Sequence, residues 1–185
     1  MNEQTFSARS TTKIALCVAL LCVAAYLSFP LPFTLSMVSA LTLALGVTAF
    51  VLTPKETFVA IAVYILLGLC GLPVLTGGTS GPGKLFGPTG GFILIWLLVY
   101  PLVSAMKGAV PNFRRYVLVD VVVGMPLTYV GGLASLMFWM DVTLGQAMMM
   151  AVVPFIPGDL VKCFAAAALG VRVNTMLEQT YTRTC

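Results

Sequence analysis

Residues 14–54 read IALCVALLCVAAYLSFPLPFTLSMVSALTLALGVTAFVLTP and carry no charged side chain. Crossing a bilayer as helix takes about 20 mainly apolar residues, within a range of roughly 17 to 25. The stretch is too long for one crossing. It breaks at Phe29-Pro30-Leu31-Pro32-Phe33, where two prolines remove backbone donors and fix φ. It therefore reads as two spanning helices, about 11–28 and about 36–52, joined by a short loop. Arg9 and Lys13 ahead of Ile14 imitate the start of a signal peptide. Further apolar runs follow, so the first helix is read as retained.

The same character extends over all 185 residues, which are 59% hydrophobic and 9% charged, with mean hydropathy +1.03. Soluble domains carry about 25% charged residues. A soluble fold would lack the polar groups to cover this much apolar surface, so the expected class is an all-α integral membrane protein. The apolar segments follow one another with short gaps, which argues for one domain over 1–185. Thr53-Pro54-Lys55-Glu56 marks a polar turn. A third helix is expected over about 56–72, a fourth over about 91–107 with a kink at Pro101, and a fifth over about 116–139. The last segment, about 145–171, is interrupted by Pro154 and Pro157 and followed by a polar tail.

Six spans put both termini on one side of the membrane. On that side fall Arg9, Lys13, Lys55, Lys107, Arg114, Arg115, Arg172 and Arg183, against Lys84 on the other. Basic residues concentrate in cytoplasmic loops, so both termini are expected in the cytoplasm. The formal charge of +4 is a topology signal and implies no nucleic-acid partner, because no basic stripe with interleaved aromatics accompanies it. The chain has no histidine, and its five cysteines form no CxxC pair. His-based metal sites and Ser-His or Cys-His catalysis are excluded, and no enzymatic activity is expected.

Two charges interrupt the last apolar segment: Pro154-Phe155-Ile156-Pro157-Gly158-Asp159-Leu160-Val161-Lys162. Each costs roughly 2.5 to 3.5 kcal/mol in hydrocarbon even on insertion scales. Three residues apart on a helix, the side chains share one face. Pro157 suits a first helical position, and Asp159 then meets the unpaired N–H groups of the first turn. A helix from Pro157 to about Val171 is about 22 Å long, short of a hydrocarbon core of about 30 Å. The pair then sits below the outer surface, in a pocket opening outward. A structural salt bridge or a simple helix cap is the alternative.

Gly78-Thr79-Ser80-Gly81-Pro82-Gly83-Lys84-Leu85 is a near miss to a phosphate-binding loop. Leu85 stands where a Mg²⁺-binding hydroxyl is needed, and no strand precedes the loop, so ATP binding is rejected. The segment reads either as a connector or as a place where backbone approaches a ligand, with Lys84 or Thr89 adding a donor. Ala15 and Ala19, like Ala40 and Ala44, have the spacing that lets helices approach closely. Asp120, near Arg114 and Arg115, is expected to reach interfacial water or to pair with one of them.

Gly71-Leu72-Pro73-Val74, then Gly87-Pro88-Thr89-Gly90-Gly91-Phe92, then the Pro154–Lys162 block together resemble the BioY family over nearly the whole chain. BioY proteins are the biotin-capturing S components of energy-coupling-factor (ECF) transporters. The resemblance implies a multi-pass protein of a bacterial or archaeal cytoplasmic membrane that binds biotin near its outer face and carries it inward, with no cofactor of its own. It implies contacts from Asp159 and Lys162, closure by the loops over about 29–36 and 73–91, and backbone approach at Gly90 and Gly91. Apolar walls are expected from Phe33, Phe86 or Tyr100. The implied partners are a membrane coupling protein, docked on the Ala15/Ala19 face, and two ATPase subunits that consume the ATP. The alternatives are an S component for another small vitamin or metabolite, or a membrane protein with no transported solute.

Overall fold

The computed structural model describes residues 7–30 and 37–184, and these fold almost wholly as helix. Helix α1 runs Ala8–Tyr26, capped by Ser7, whose side chain accepts from the Ser10 N–H. Strands β1 (Ser28–Pro30) and β2 (Met37–Ser39) then pair antiparallel, with Ser28 opposite Ser39. This ribbon replaces the expected last turn of the first helix and first turn of the second. Residues flanking the proline break satisfy their backbone groups by pairing with each other. Phe33 lies outside the described residues.

Helix α2 (Leu41–Val51) is the centre of the molecule, and every residue from Ala44 to Phe50 is buried. Its 11 residues give about 16 Å, well short of a hydrocarbon core. Its C-terminal carbonyls would be orphans in an apolar interior. Lys107 Nζ donates to the carbonyls of Ala49, Phe50 and Leu52 at 3.1, 2.7 and 2.5 Å. Ser104 Oγ adds a 2.6 Å bond to the Leu52 carbonyl, and Asn174 Nδ2 a 2.8 Å bond to that of Phe50.

Helix α3 (Pro54–Leu69) begins at the expected polar turn. Thr53 N–H donates to Glu56 at 2.9 Å while Glu56 N–H donates back to Thr53, a reciprocal cap. The glycine-rich segment that follows is pinned down. Leu75 is fully buried, Gly77 N–H donates to the Ala25 carbonyl at 3.1 Å, and Gly81 N–H donates to that of Gly68 at 2.8 Å. Gly81, at φ 89°, turns the chain into the one-turn helix α4 (Pro82–Leu85).

Helix α5 (Gly90–Met106) passes through Pro101 without ending. Helix α6 (Phe113–Val119), a π-helical turn (Asp120–Gly124) and α7 (Met125–Met140) form one rod of 28 residues. The wider turn sits just ahead of Pro126, which has no N–H for a regular helical bond. Helix α8 (Leu144–Ala151) and helix α9 (Ile156–Thr184) complete the chain. The last helix does not stop near Val171. Its polar end stays helical, anchored where Asn174 Nδ2 also bonds the Tyr116 hydroxyl at 3.0 Å. The helix has 29 residues and is about 43 Å long, so its length alone no longer sets the depth of Asp159.

Among the described residues, three helices are long and apolar enough to cross a membrane: Ala8–Tyr26, Phe113–Met140 and Ile156–Gln179. Their outer faces are apolar too: Leu16, Val23, Phe138 and Val161 are 67%, 63%, 81% and 68% exposed. Such surface belongs against lipid or another apolar partner.

Candidate functional site

The Pro154–Lys162 block folds as the sequence suggests. The chain bends through Val152–Phe155, and α9 starts at Ile156, placing Asp159 in its first turn. Lys162 Nζ lies 2.9 Å from Asp159 Oδ1, with the two side chains only 16% and 13% exposed. The second carboxylate oxygen accepts a 2.7 Å bond from the Tyr129 hydroxyl on α7. The charges are turned toward each other, yet they are not sealed in. They form one wall of a cleft with about 670 Å³ of empty space, its open mouth included.

Several segments build the cleft. Helix α2 contributes Thr42, and the glycine-rich segment contributes Thr76, Lys84 and Thr89. From α5 come Phe92, Ile93 and Trp96, from α7 Thr128 and Tyr129, and Phe155 closes the floor beside Asp159 and Lys162. The structure therefore brings together four residues singled out from sequence: Lys84, Thr89, Asp159 and Lys162. Burial lowers the Lys84 pKa below that of an ordinary lysine, and its ammonium has no partner among the described residues.

Gly90 and Gly91 do not line the cleft. A Cβ on Gly90 would sit 1.8 Å from the Leu85 carbonyl oxygen, and one on Gly91 would sit 2.3 Å from the Gly131 carbonyl oxygen. These glycines let α4 fold back onto α5, and α5 press against α7. The apolar walls are Phe92, Ile93, Trp96 and Phe155. Phe86, expected there, is 59% exposed, and Tyr100 lies deeper.

Asp120 departs from expectation. It is 4% exposed and faces inward with the buried Tyr116 one turn earlier, while Arg114 and Arg115 are exposed. Gly124 and Gly46 leave room for its carboxylate: an added Cβ would lie 2.5 and 3.1 Å from its oxygens. Together with Tyr100, Met125, Thr128 and Cys163 it lines a smaller cavity that shares Thr42, Tyr129, Asp159 and Lys162 with the cleft. Sequence reading missed Thr42, Trp96, Thr128 and Tyr129. Each is an ordinary residue of an apolar helix until the helices are brought together. Ala15 and Ala19 are exposed on the outer face of α1, whereas Ala44 is buried in α2.

A bundle of apolar helices enclosing a partly polar cleft defines a helical membrane protein with a small-solute site. A sequence model of the BioY family matches residues 1–179. The chain is 37% identical over 174 residues to biotin transporter BioY2 of Lactococcus lactis subsp. cremoris, covering 92% of this chain and 93% of the relative. It is 32% identical over 171 residues to biotin transporter BioY of Thermotoga maritima, covering 91% and 97%. A crystal structure of "the S-component for biotin from an ECF-type ABC transporter" superposes with TM-score 0.83 over 95% of both chains, at 22% identity. The chain belongs to the BioY family.

Proposed function

We propose that this protein captures biotin and delivers it across a cytoplasmic membrane as the S component of an ECF-type transporter. The reading is carried by the identity to a biotin transporter, which runs over 92% of this chain rather than over an isolated motif. The BioY family is one of transport proteins, so biotin is cargo, and no reaction on it is required. Asp159 accepts from a ureido N–H, and Lys162 beside it donates to the ureido carbonyl, which matches an adjacent acceptor and donor to the ring. Lys84, with no partner among the described residues, suits the carboxylate of the valeryl chain. Thr89 adds a hydroxyl, and Phe92, Ile93 and Phe155 take the thioether ring and the alkyl tail. Gly90 and Gly91 contribute by fixing the backbone that carries Lys84 and Thr89.

In this reading the chain is a single domain with six membrane passes, both termini in the cytoplasm of a bacterium or archaeon, and the cleft toward the outside. Support comes from the distribution of Lys and Arg. Ala15 and Ala19 form part of the face on which a membrane coupling protein docks, and two ATPase subunits bound to that protein supply the energy. Detergent-purified protein loaded with labelled biotin should lose the label to unlabelled biotin but not to other small vitamins. Displacement by a different vitamin at lower concentration would make that compound the cargo.

A further inference from the structure

Among the described residues, most buried hydroxyls find a backbone carbonyl. Thr48, Thr57 and Thr128 donate to the carbonyl four residues back at 2.8, 2.9 and 2.8 Å, and Ser104 reaches the Leu52 carbonyl. Thr42 has no such recourse. It is the second residue of α2, so no helical carbonyl lies one turn behind it. Its hydroxyl is buried and unpartnered among the described residues, and so is Trp96 Nε1 on a side chain only 4% exposed. An unpaired buried polar atom carries its full desolvation cost. Tyr64, the third such atom found, lies in the core away from the cleft. Thr42 and Trp96 both line the cleft, on different helices.

We propose that Trp96 Nε1 and Thr42 Oγ1 are ligand contacts, a second polar anchor that recognises an acceptor atom of the bound solute independently of Asp159 and Lys162. The indole N–H is donor only, so its counterpart is an oxygen or sulfur acceptor. The Thr42 hydroxyl, free to rotate, completes the bond or donates a second one. This rests on the cleft being the biotin site and adds residues that decide which solutes fit. Both atoms are closed off from solvent in the ligand-free protein, so contact requires the Thr42 and Trp96 side chains to turn toward the cleft as the solute enters, and the desolvation cost they carry without it is then removed.

Thr42→Val keeps the shape and removes the hydroxyl, and replacing the Trp96 indole alone by benzothiophene, through site-specific 3-benzothienylalanine, keeps the fused ring and removes the N–H. The readouts are biotin affinity and the melting temperature of the ligand-free protein in detergent. We expect about tenfold weaker biotin binding in each variant, equivalent to about 1.4 kcal/mol, with a ligand-free melting temperature equal to or above the parent's. A structural role would instead lower the melting temperature. In a Trp139→Phe background Trp96 is the remaining tryptophan, and its emission should shift on biotin addition. Parent-like affinity in both variants, or weaker binding accompanied by a lower melting temperature, overturns the inference while leaving the biotin site in place. A parent protein that does not bind biotin overturns both.

Discussion

The central feature at the residue scale is a charge pair that is bonded but not closed off. A salt bridge alone would be weak evidence for a site, because buried pairs often serve structure. The cleft beside Asp159 and Lys162, with the Tyr129 hydroxyl on the far carboxylate oxygen, makes the pair a preset acceptor and donor held in register. Lys84 gives a pH test. Burial holds its pKa below the ordinary lysine value of about 10.4. Contact with a carboxylate raises it again, so binding takes up a proton across that interval. Affinity is then at its full value below the free-state pKa and falls as pH rises through it. Titrations from about pH 7 to about pH 10 should show this decline in the parent and a flatter profile in Lys84→Gln. Equal slopes would remove Lys84 from the site. The Asp159/Lys162 pair was legible in the sequence because two charges in an apolar run have no cheap explanation. Thr42, Trp96 and Tyr129 were not, because a hydroxyl or an indole costs little to place in such a helix and acquires meaning only from its neighbours across the bundle.

Among the elements, α2 is the one the sequence describes least well. Its apolar run looks like a membrane span, yet only 11 residues form the helix, and it is buried as a central post. The missing length went into the β1–β2 ribbon, since a proline pair breaks helix without saying what replaces it. Asp120 lies four residues after the buried Tyr116 and shares its inward face, so periodicity places it inside where the cost of its charge argued for water. Helix α9 ran past its expected end because Asn174 finds partners on α2 and α6. The short post needs its open carbonyl end closed, and Lys107 does this with three bonds. Lys107→Met should lower stability by about 1.5–3 kcal/mol, the range for hydrogen bonds to charged groups, measured as a lower melting temperature in detergent. Biotin affinity should be unchanged, since Lys107 lies at the opposite end of α5 from Gly90 and the cleft. An affinity loss without a stability loss would contradict this division of labour.

For the whole molecule, composition alone gave the class, because a chain with 9% charged residues and mean hydropathy +1.03 has little alternative to lipid. The helices turn large apolar side chains outward, and α1 adds the small residues Ala15 and Ala19 to such a face. Small residues permit close helix approach, and a docked coupling protein would use them. Ala15→Leu together with Ala19→Leu should leave biotin binding by the purified protein within about twofold of the parent, well under the 1.4 kcal/mol of a tenfold change. Co-purification with the coupling protein and ATPases, and uptake in cells, should be lost. Retained co-purification would place the docking face elsewhere. Capture by this fold requires the charge pair to meet a solute in the cleft. Biotin titration of the purified parent and of Asp159→Asn, side by side, tests it most directly. Saturable binding is expected for the parent and at least tenfold weaker binding for the variant, about 1.4 kcal/mol or more. No binding by the parent, or equal affinity in the two proteins, would contradict it.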